Sequence, residues 1–293
     1  MSRTSTASSS LPSDPPGRAP ANPSEVRDRL GALGIRPSKR RGQSFLSDAF
    51  VADAEAALLE VPPGAAVLEI GGGLGVLTEA LRRRGIGPIT VLEIDPRLAR
   101  HLRETFAPEV RVVVADALEF PLGGFAAVIG NLPYSLATPI LLRTFAARVP
   151  RVVAMVQAEV ADRLAAGPGS RSYGRLSIAA RLYGTIELFR SVGPASFVPH
   201  PSVASRILRF RGREGPLPVG STRTLETVVR TLFQARRKQL GNLLPKLTPD
   251  PESTAKAARW PPNWDSLRPE ALAPEAFFEL SNVLDRARDP DSP

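Results

Sequence analysis

The sequence predicts a doubly wound α/β domain followed by a small, all-helical C-terminal domain. Short apolar runs typical of buried strands alternate with helical patterns between residues 66 and 156. Strands that alternate with helices form right-handed βαβ units, and hence a mostly parallel sheet with helices on both faces. Beyond a Gly/Pro-rich segment at 212–220, apolar residues recur only at helical spacing. The 293 residues suffice for one large domain and one small one.

The segment before the predicted sheet contains a tail and two helices. Residues 1–23 are rich in Ser, Pro, Thr and Ala, so they bury too little apolar surface to fold, and we expect a disordered tail. A short helix is predicted over 24–33 and a basic loop over 37–42. A second helix is predicted over 48–59, with Ser47 as its N-cap.

The alternating region sets the order of the predicted sheet. The predicted strands cover residues 66–70, 89–94, 110–114, 126–129 and 152–156. The intervening helices are predicted over 77–84, 97–106 and 138–147. A less regular run at 205–210 is expected to close the sheet as its edge strand. The expected domain boundaries are therefore 24–211 for the α/β domain and 212–293 for the helical domain.

Composition narrows the class of function. A net charge of +9 and a pI of about 10.8 favour a polyanionic partner such as nucleic acid, although charge can also serve solubility. The absence of cysteine excludes disulfides, thiolate metal sites and cysteine nucleophiles, and two histidines cannot form a three-His zinc site. We therefore expect no metal. No apolar run has the length of a membrane span and no secretory signal is recognisable, so we expect a cytoplasmic protein.

The tetrapeptide Asn131-Leu132-Pro133-Tyr134 directly follows the predicted strand at 126–129. Ligands of open α/β sheets bind just beyond the carboxyl ends of strands. An amide side chain and a rigid turn can hold a planar amine, and an aromatic ring can stack on the base that carries it. The tetrapeptide is therefore a candidate catalytic site, although four residues alone are equally compatible with an ordinary turn.

Residues at three other strand ends predict a nucleoside cofactor. Gly71, Gly73 and Gly75 follow the first strand with a G-x-G-x-G spacing, which suits a ligand without a pyrophosphate, such as S-adenosylmethionine. Glu93 ends the second strand, where an acid can accept hydrogen bonds from ribose hydroxyls. Asp116 follows the third strand and is a candidate for the adenine amino group. Together they predict a Rossmann-like domain that binds S-adenosylmethionine; an NAD oxidoreductase is the main alternative.

With these residues, the chain resembles the rRNA adenine N6-dimethyltransferases, in particular the housekeeping branch that acts on small-subunit (16S) rRNA. The resemblance runs from about residue 41 to residue 244. The segment 42–46 resembles the family's opening motif, with Ser44 where Asn is usual, and implies that Ser44 and Leu46 touch the cofactor. Gly72 stands where the family usually has Pro. The other matching cofactor positions are Gly71, Glu93, Asp116 and Asn131.

Further segments resemble the housekeeping branch more than the antibiotic-resistance branch, which acts on large-subunit rRNA. They are residues 156–164, 173–177, 197–205, in which Ala204 replaces the usual Asp, and 233–240, which resembles a C-terminal basic helix. The resemblance implies N6-dimethylation of two adjacent adenosines near the 3′ end of 16S rRNA, and thus a role in ribosome biogenesis. It makes the small ribosomal subunit the expected partner.

The expected reaction is direct displacement at the sulfonium methyl group by the adenine amine. We expect the Asn131 side-chain oxygen and the Leu132 carbonyl to accept the two amine hydrogens, with Pro133 rigidifying the turn. Positioning and electrostatics should supply most of the acceleration. Tyr134 is expected to stack on the target base and Phe197 to close its other face, although Phe197 is also compatible with a core position.

Basic residues at both ends of the folded chain are candidates for contacts with the RNA backbone. A charge run is as often a solvated surface, so each of these residues has that alternative. The candidates are Lys39, Arg40, Arg41, Arg236, Arg237 and Lys238.

Three other functions remain open at this point. They are a resistance-type methylase acting on large-subunit rRNA, a non-catalytic assembly factor that keeps the fold, and an NAD oxidoreductase. The oxidoreductase lacks an acid–base residue beside the tetrapeptide and has the wrong glycine spacing. Nothing in the sequence requires a dimer, so we expect a monomer.

Overall fold

The computed structural model describes residues 18–37, 43–247 and 264–288. The helices are α1 (Pro23–Ala32), α2 (Ala49–Ala57), α3 (Val76–Arg83), α4 (Pro96–Phe106), α5 (Ala137–Ala146), α6 (Ala158–Ala165), α7 (Arg175–Tyr183), α8 (Thr222–Gln234) and α9 (Pro274–Arg288). The strands are β1 (Phe45–Leu46), β2 (Val67–Ile70), β3 (Ile89–Glu93), β4 (Val110–Val114), β5 (Ala127–Asn131), β6 (Arg151–Gln157), β7 (Gly184–Val192), β8 (Phe197–Val198) and β9 (Ser205–Gly212).

The central sheet has seven strands in the order β4-β3-β2-β5-β6-β9-β7. The strands from β4 to β6 are parallel, whereas β9 runs antiparallel to both β6 and β7. The chain moves outward from β2 to β4 and then returns to β5 on the other side of β2. This reversal is the topological switch point at which open α/β sheets bind their ligands. The predicted doubly wound fold is confirmed.

Alternate residues of the strands pack on two helical layers. In β2, for example, Val67 belongs to the cluster that includes α2, α3 and α4, whereas Leu68 and Ile70 belong to the cluster that includes α5 and α6. Phe145 of α5 stacks on Phe210 of β9, with ring centroids 4.0 Å apart. Helices on both faces bury the central strands of the sheet, which explains why these strands are continuous apolar runs rather than alternating ones.

The prediction that residues 205–210 form the edge strand is wrong. They belong to β9, which lies between β6 and β7, and β7 forms the edge. The sequence Gly-Thr-Ile-Glu-Leu-Phe-Arg-Ser-Val of β7 carries polar side chains and is mostly solvent-accessible, so its hydrophobic pattern is weak. Helices α6 and α7 have no counterpart among the elements predicted from the sequence.

The predicted N-cap of the second helix is also wrong. Asp48, not Ser47, caps α2, and its side chain accepts hydrogen bonds from the backbone N–H groups of Phe50 and Val51. The Ser47 hydroxyl is buried and donates to the carbonyl of Ser196, 3.0 Å away. A serine used in a long-range contact cannot cap the helix that follows it.

The C-terminal helices share an apolar core with α7. Phe233 of α8 stacks on Phe277 of α9 at 5.6 Å and meets the Tyr173 ring edge-on, and the Tyr173 hydroxyl donates to the carbonyl of Leu272 at 2.8 Å. Helix α8 ends at Gln234, so residues 235–239 form a turn rather than the predicted basic helix. Short 3₁₀ turns lie between α8 and α9 in the described part of this region.

The predicted N-terminal tail falls mostly on residues 1–17, which lie outside the described residues. Its last part is packed: Ala19 and Pro20 are buried, and the backbone N–H of Ala21 donates to Glu25 of α1. Packed residues therefore occur before the predicted boundary at residue 23. Within the described ranges, no helix combines the length and the apolar character needed to cross a lipid bilayer.

Two buried carboxyl groups lie between the sheet and the helices on one face. Glu55 of α2 is fully buried and neither of its carboxyl oxygens has a hydrogen-bond partner. Burial raises the pKa of Glu55 well above its ordinary value, and the nearby Glu69 adds to the rise. Burial also raises the pKa of Glu69 to about 8, although its carboxyl accepts a hydrogen bond from Thr78 at 2.7 Å. Glu69 therefore favours the protonated form at neutral pH, and burial shifts the pKa of Glu55 in the same direction.

We predict that Glu55→Leu stabilises the fold. A buried polar group without a partner costs about 1–3 kcal/mol, and leucine of similar volume removes that cost. Because burial raises the pKa of Glu55 in the folded state, the free energy of unfolding falls as pH rises from the ordinary glutamate pKa toward the raised one. Urea unfolding at pH 5 and pH 8 should therefore show a gain that is larger at pH 8. The matched control is Glu226→Leu at an exposed position of α8, for which we expect a change below about 0.5 kcal/mol.

Candidate active site

A cleft opens at the carboxyl edge of the sheet, around the switch point between β2 and β5. Its floor is formed by the ends of β2, β3 and β5, and the short β1–β8 pair forms one wall. The sequence-predicted cofactor and catalytic residues all line this one cleft. They are Ser44, Leu46, Gly71, Gly73, Glu93, Asp116, Asn131, Leu132, Pro133, Tyr134 and Phe197.

The glycine-rich loop turns sharply between β2 and α3. Gly71 and Gly73 have φ values of 79° and 56°, in the left-handed region that favours glycine. The N–H of Gly71 donates to the Leu92 carbonyl at 2.8 Å and ties the loop to β3. A Cβ atom at Gly72 would lie 2.3 Å from Cγ1 of Val91. The Val91 side chain therefore fills the space that a proline at position 72, usual in the family that the sequence resembles, would need.

Glu93 joins the glycine-rich loop to the end of β3. One carboxyl oxygen accepts a hydrogen bond from the N–H of Gly73 at 2.9 Å, and the other accepts from the N–H of Asp95 at 3.0 Å. Burial raises the pKa of Glu93, and these backbone N–H groups oppose the rise. Each carboxyl oxygen retains a second lone pair, so Glu93 can still accept hydrogen bonds from a ligand.

Asp116 lies two residues beyond the end of β4, where its side chain reaches the cleft. One of its carboxyl oxygens accepts from the backbone N–H of Leu118 at 2.8 Å and holds the turn that follows the strand. The remaining acceptor capacity is available to a polar group in the cleft.

The tetrapeptide 131–134 begins within β5 and continues as a turn. Asn131 is the last residue of the strand and pairs in register with Met155 of β6, whose carbonyl accepts from the N–H of Leu132 at 3.2 Å. The side-chain oxygen of Asn131 is buried in the cleft and has no hydrogen-bond partner in the described structure. Because a buried acceptor without a donor is costly, this atom indicates a position for a donor supplied by a ligand.

Two aromatic residues lie beside Asn131. The Tyr134 hydroxyl and the Ser205 hydroxyl are 2.6 Å apart, which fixes the ring at the start of β9. Burial raises the pKa of the Tyr134 phenol. Phe197 lines the cleft from β8 and is only 3% exposed, so it is also part of the apolar core. Leu46 pairs in register with Phe197 in the β1–β8 wall.

Among the cleft residues that the sequence analysis did not identify, three have a clear contact or exposure. Ile94 is 60% exposed next to Glu93, and Leu136 is 36% exposed after the tetrapeptide, so both present apolar surface to the cleft. Ser205 contributes only through its long-range bond with Tyr134. An apolar side chain directly after the acid at a strand end was a usable signal for Ile94, whereas no local pattern points to Ser205.

The predicted RNA-contacting residues have different surroundings. Lys39, Arg40 and Arg41 lie outside the described residues. The guanidinium of Arg236 pairs with Glu270 and donates to the carbonyls of Arg171 and Ser170, at 2.7 and 2.9 Å. These bonds hold the loop before α7 against the turn after α8. The structure therefore gives Arg236 an internal structural role rather than that of a freely exposed cation.

Arg237 and Lys238 follow Arg236 in the turn after α8, and their side chains are exposed. Neither side chain has an ion pair within the described ranges. Exposed cations without an acidic partner attract phosphate at low desolvation cost. These two residues remain candidates for contacts with an RNA backbone.

The cleft fits S-adenosylmethionine. The glycine-rich loop allows close approach of a ligand to its backbone, and Glu93 and Asp116 retain acceptor capacity. Ile94 provides an apolar surface for a flat base, and the buried oxygen of Asn131 requires a donor. These features match an adenosine-containing ligand at the strand ends and an amino group beside Asn131.

Comparison with known proteins agrees with this geometry. The family described as "Ribosomal RNA adenine dimethylase" matches residues 36–262. The chain belongs to this family. "Ribosomal RNA small subunit methyltransferase A" of Hahella chejuensis is 39% identical over 263 residues, which cover 86% of this chain and 94% of that protein. The protein of the same name from Aeromonas hydrophila is 37% identical over 264 residues, covering 86% and 95%.

Solved structures show the same architecture. A dimethyladenosine transferase from Plasmodium falciparum superposes with a TM-score of 0.72 at 22% identity, covering 83% of this chain and 98% of that one. The 23S rRNA methyltransferase ErmE superposes with a TM-score of 0.64 at 28% identity, covering 82% and 99%. The predicted fold, the S-adenosylmethionine cofactor and the class of activity, methyl transfer to rRNA adenine, are confirmed by family membership.

Proposed function

We propose that this protein dimethylates two adjacent adenosines near the 3′ end of 16S rRNA in the small ribosomal subunit. It acts as a monomer in the cytoplasm during ribosome biogenesis. The observation that carries the proposal is the buried side-chain oxygen of Asn131, which lacks a donor and faces the cleft at the switch point. An oxygen in that state suits an exocyclic amine, because the amine supplies the missing hydrogen.

The relatives favour the small subunit over the large one. Proteins named for the small subunit are 34–39% identical to this chain over about 84–86% of its length. ErmE, a 23S rRNA methyltransferase, is 28% identical over 82% of the chain. We therefore propose small-subunit rRNA as the substrate. Resistance-type methylation of large-subunit rRNA is the second candidate.

In the proposed complex, the chain binds the cofactor through the residues of three strand ends. Glu93 would accept hydrogen bonds from the ribose hydroxyls and Asp116 from the adenine amino group, and the loop at Gly71 and Gly73 would lie against the remainder of the cofactor. Ser44 and Leu46 close the site from the β1–β8 wall. S-adenosylmethionine, when bound, supplies an electrophilic methyl group on a sulfonium.

Asn131 and Leu132 position the amine for attack. The lone pair of an adenine amine is delocalised into the ring, so it must be oriented toward the methyl group. The Asn131 side-chain oxygen and the Leu132 carbonyl accept the two amine hydrogens, and Pro133 restrains the turn that holds that carbonyl. The nitrogen would gain the methyl group as the carbon–sulfur bond of the sulfonium breaks, with S-adenosylhomocysteine as the leaving group, and would lose one proton to solvent. This proposal needs no histidine, because orientation and fixed dipoles provide the stabilisation.

Tyr134 and Phe197 hold the adenine ring between them. The Tyr134–Ser205 hydrogen bond restricts the tyrosine ring, so less rotamer entropy is lost when the base stacks. Stacking of one base on an aromatic side chain contributes about 1–3 kcal/mol. The target adenosine must leave its helix or lie in a flexible loop to enter the cleft.

The region from residue 212 onward is proposed to bind RNA as a helical domain. Arg237 and Lys238 directly follow Arg236 in the turn after α8. Their side chains are exposed, and they would contact phosphates. Arg236 supports this surface indirectly, because it fixes the turn that carries both residues.

The proposal is tested by methyl transfer from labelled S-adenosylmethionine. The substrates are under-methylated small subunits, large subunits and the free rRNAs, with modified bases mapped after digestion. Dimethyladenosine near the 3′ end of small-subunit rRNA is expected. Label in large-subunit rRNA would place the protein with the resistance-type methylases, and bound cofactor without any transfer would indicate an assembly factor.

We predict that Asn131→Ala lowers kcat for methyl transfer at least 100-fold, because the amine loses the acceptor that orients it. Most of the cofactor affinity should survive, since Glu93 and the glycine-rich loop are unchanged. Single-turnover kinetics and calorimetric titration with S-adenosylmethionine measure the two effects separately. The matched control is Asn242→Ala, an exposed asparagine in a 3₁₀ turn. Near-normal turnover of Asn131→Ala would refute the assignment.

We predict that Arg237→Ala combined with Lys238→Ala weakens rRNA binding and leaves S-adenosylmethionine affinity intact. If each cation neutralises one phosphate, the slope of log K against log [salt] should fall by about 1.4–1.8 in magnitude. The control removes two exposed arginines outside the C-terminal region at equal change in net charge. They are Arg84 at the end of α3 and Arg111 in strand β4. Equal loss of RNA binding in both double variants would show a general charge effect instead of a local contact.

A further inference from the structure

Phe50 is the most exposed large apolar side chain in the described part of the protein, at 85% of its full accessibility. Ile94 and Leu136 are also exposed, but they line the cleft. An aromatic ring in water contributes nothing to the core, and phenylalanine is among the residues most often buried. Because the Phe50 ring is exposed and not used in packing, it is free to contact a ligand at this surface.

Phe50 lies at the cleft edge of the sheet. It belongs to the first turn of α2, four residues after Leu46, which lines the cleft. Strand β2, which follows α2, ends at the glycine-rich loop and therefore begins at the opposite edge of the sheet. Helix α2 must lead away from the cleft to reach that edge. The first turn of α2 is thus at the rim of the site, next to the β1–β8 wall.

The backbone around Phe50 is fixed relative to the catalytic wall. The N–H and the hydroxyl of Ser47 both donate to the Ser196 carbonyl, at 2.8 and 3.0 Å. The Ser196 hydroxyl donates to one oxygen of Asp48 at 3.0 Å, and the other oxygen accepts from the N–H of Phe50 at 3.0 Å. Ser196 directly precedes Phe197, so these bonds connect the position of Phe50 to that of a cleft residue.

The neighbours of Phe50 on the helix surface favour a nucleobase over a protein surface. Residues three and four positions further along are Asp53, which pairs with Arg83 at 3.1 Å, and the small Ala54. A protein interface requires a contiguous apolar patch, whereas the residues one turn further along the helix from Phe50 are polar or small. A single rigid aromatic ring beside a site that takes an RNA base suits stacking on a neighbouring base.

We propose that Phe50 stacks on a nucleotide adjacent to the target adenosine and positions the substrate RNA at the rim of the cleft. This inference rests on the proposed function, because it assumes an RNA substrate whose target base enters beside Tyr134. It adds a second aromatic contact outside the pocket, on a separate element from the tetrapeptide. Phe50 then affects RNA affinity and not the chemistry of the amine.

The test compares Phe50→Ala, Phe50→Leu and Phe50→Trp with the wild type on under-methylated small subunits. Phe50→Ala should raise KM for the subunit at least fivefold, while kcat, S-adenosylmethionine affinity and Tm stay unchanged because the side chain is exposed. Phe50→Trp should retain the wild-type KM, since it keeps a stacking ring. Phe50→Leu, which keeps apolar area without a π-face, should resemble Phe50→Ala.

A direct readout of stacking comes from the fluorescence of Phe50→Trp. Titration with free 16S rRNA should quench the added tryptophan signal, obtained as the difference from the wild-type protein under the same conditions. Quenching is expected even with a protein preparation that transfers no methyl group, so failure of the proposed function and failure of this inference are distinguishable.

Three results would overturn the inference. An unchanged KM in Phe50→Ala with active enzyme would leave the proposed function standing and remove Phe50 from the substrate contact. A wild-type KM in Phe50→Leu would indicate apolar packing without stacking. A raised KM of Phe50→Ala for assembled subunits but not for free rRNA, with no quenching of Phe50→Trp by free 16S rRNA, would show that Phe50 contacts a ribosomal protein.

Discussion

The close approach of β2 and β5 determines the geometry of the whole site. A Cβ atom at Gly130 would lie 2.4 Å from the carbonyl oxygen of Ile70, so glycine is required for the backbones to approach this closely just beyond the paired residues. Ile70 leads into the glycine-rich loop and Gly130 leads into Asn131. The contact therefore brings the glycine-rich loop, proposed to face the cofactor, and Asn131, proposed to bind the amine, to adjacent points of one sheet edge. The parallel register of Glu69 with Ile129 holds them there.

A second, long-range constraint completes the cleft. The short β1 strand pairs with β8, about 150 residues later in the chain, and places Leu46 opposite Phe197. The bonds of Ser47 and Asp48 with Ser196 reinforce this pairing at the start of α2. One wall of the site is thus made from the two ends of the α/β region, so the cleft is complete only when the whole sheet has folded. Phe50 gains its position at the rim from the same contacts.

The three buried glutamates differ in how the fold compensates their burial. Glu93 lines the cleft, receives two backbone N–H donors and fixes the glycine-rich loop. Glu69 receives a hydrogen bond from Thr78 on one oxygen only, and Glu55 receives none. The last two are therefore buried at a cost to stability that rises as they ionise. The fold tolerates this cost on the face where α2 and α3 cover the sheet.

The sequence by itself determined the doubly wound fold class, the placement of Gly71, Glu93 and Asn131 close to the ends of strands, and the family. These features are local: buried parallel strands are continuous apolar runs, and glycine spacing and acids at strand ends occur within a few residues of each strand. The tertiary structure alone decided that β9 lies inside the sheet, because the polar edge strand β7 has no clear periodicity. It also decided that Arg236 is committed to Glu270 and to loop carbonyls, and that Ser205 fixes Tyr134. Such roles depend on partners distant in sequence, and a local pattern carries no information about which distant group will satisfy a side chain.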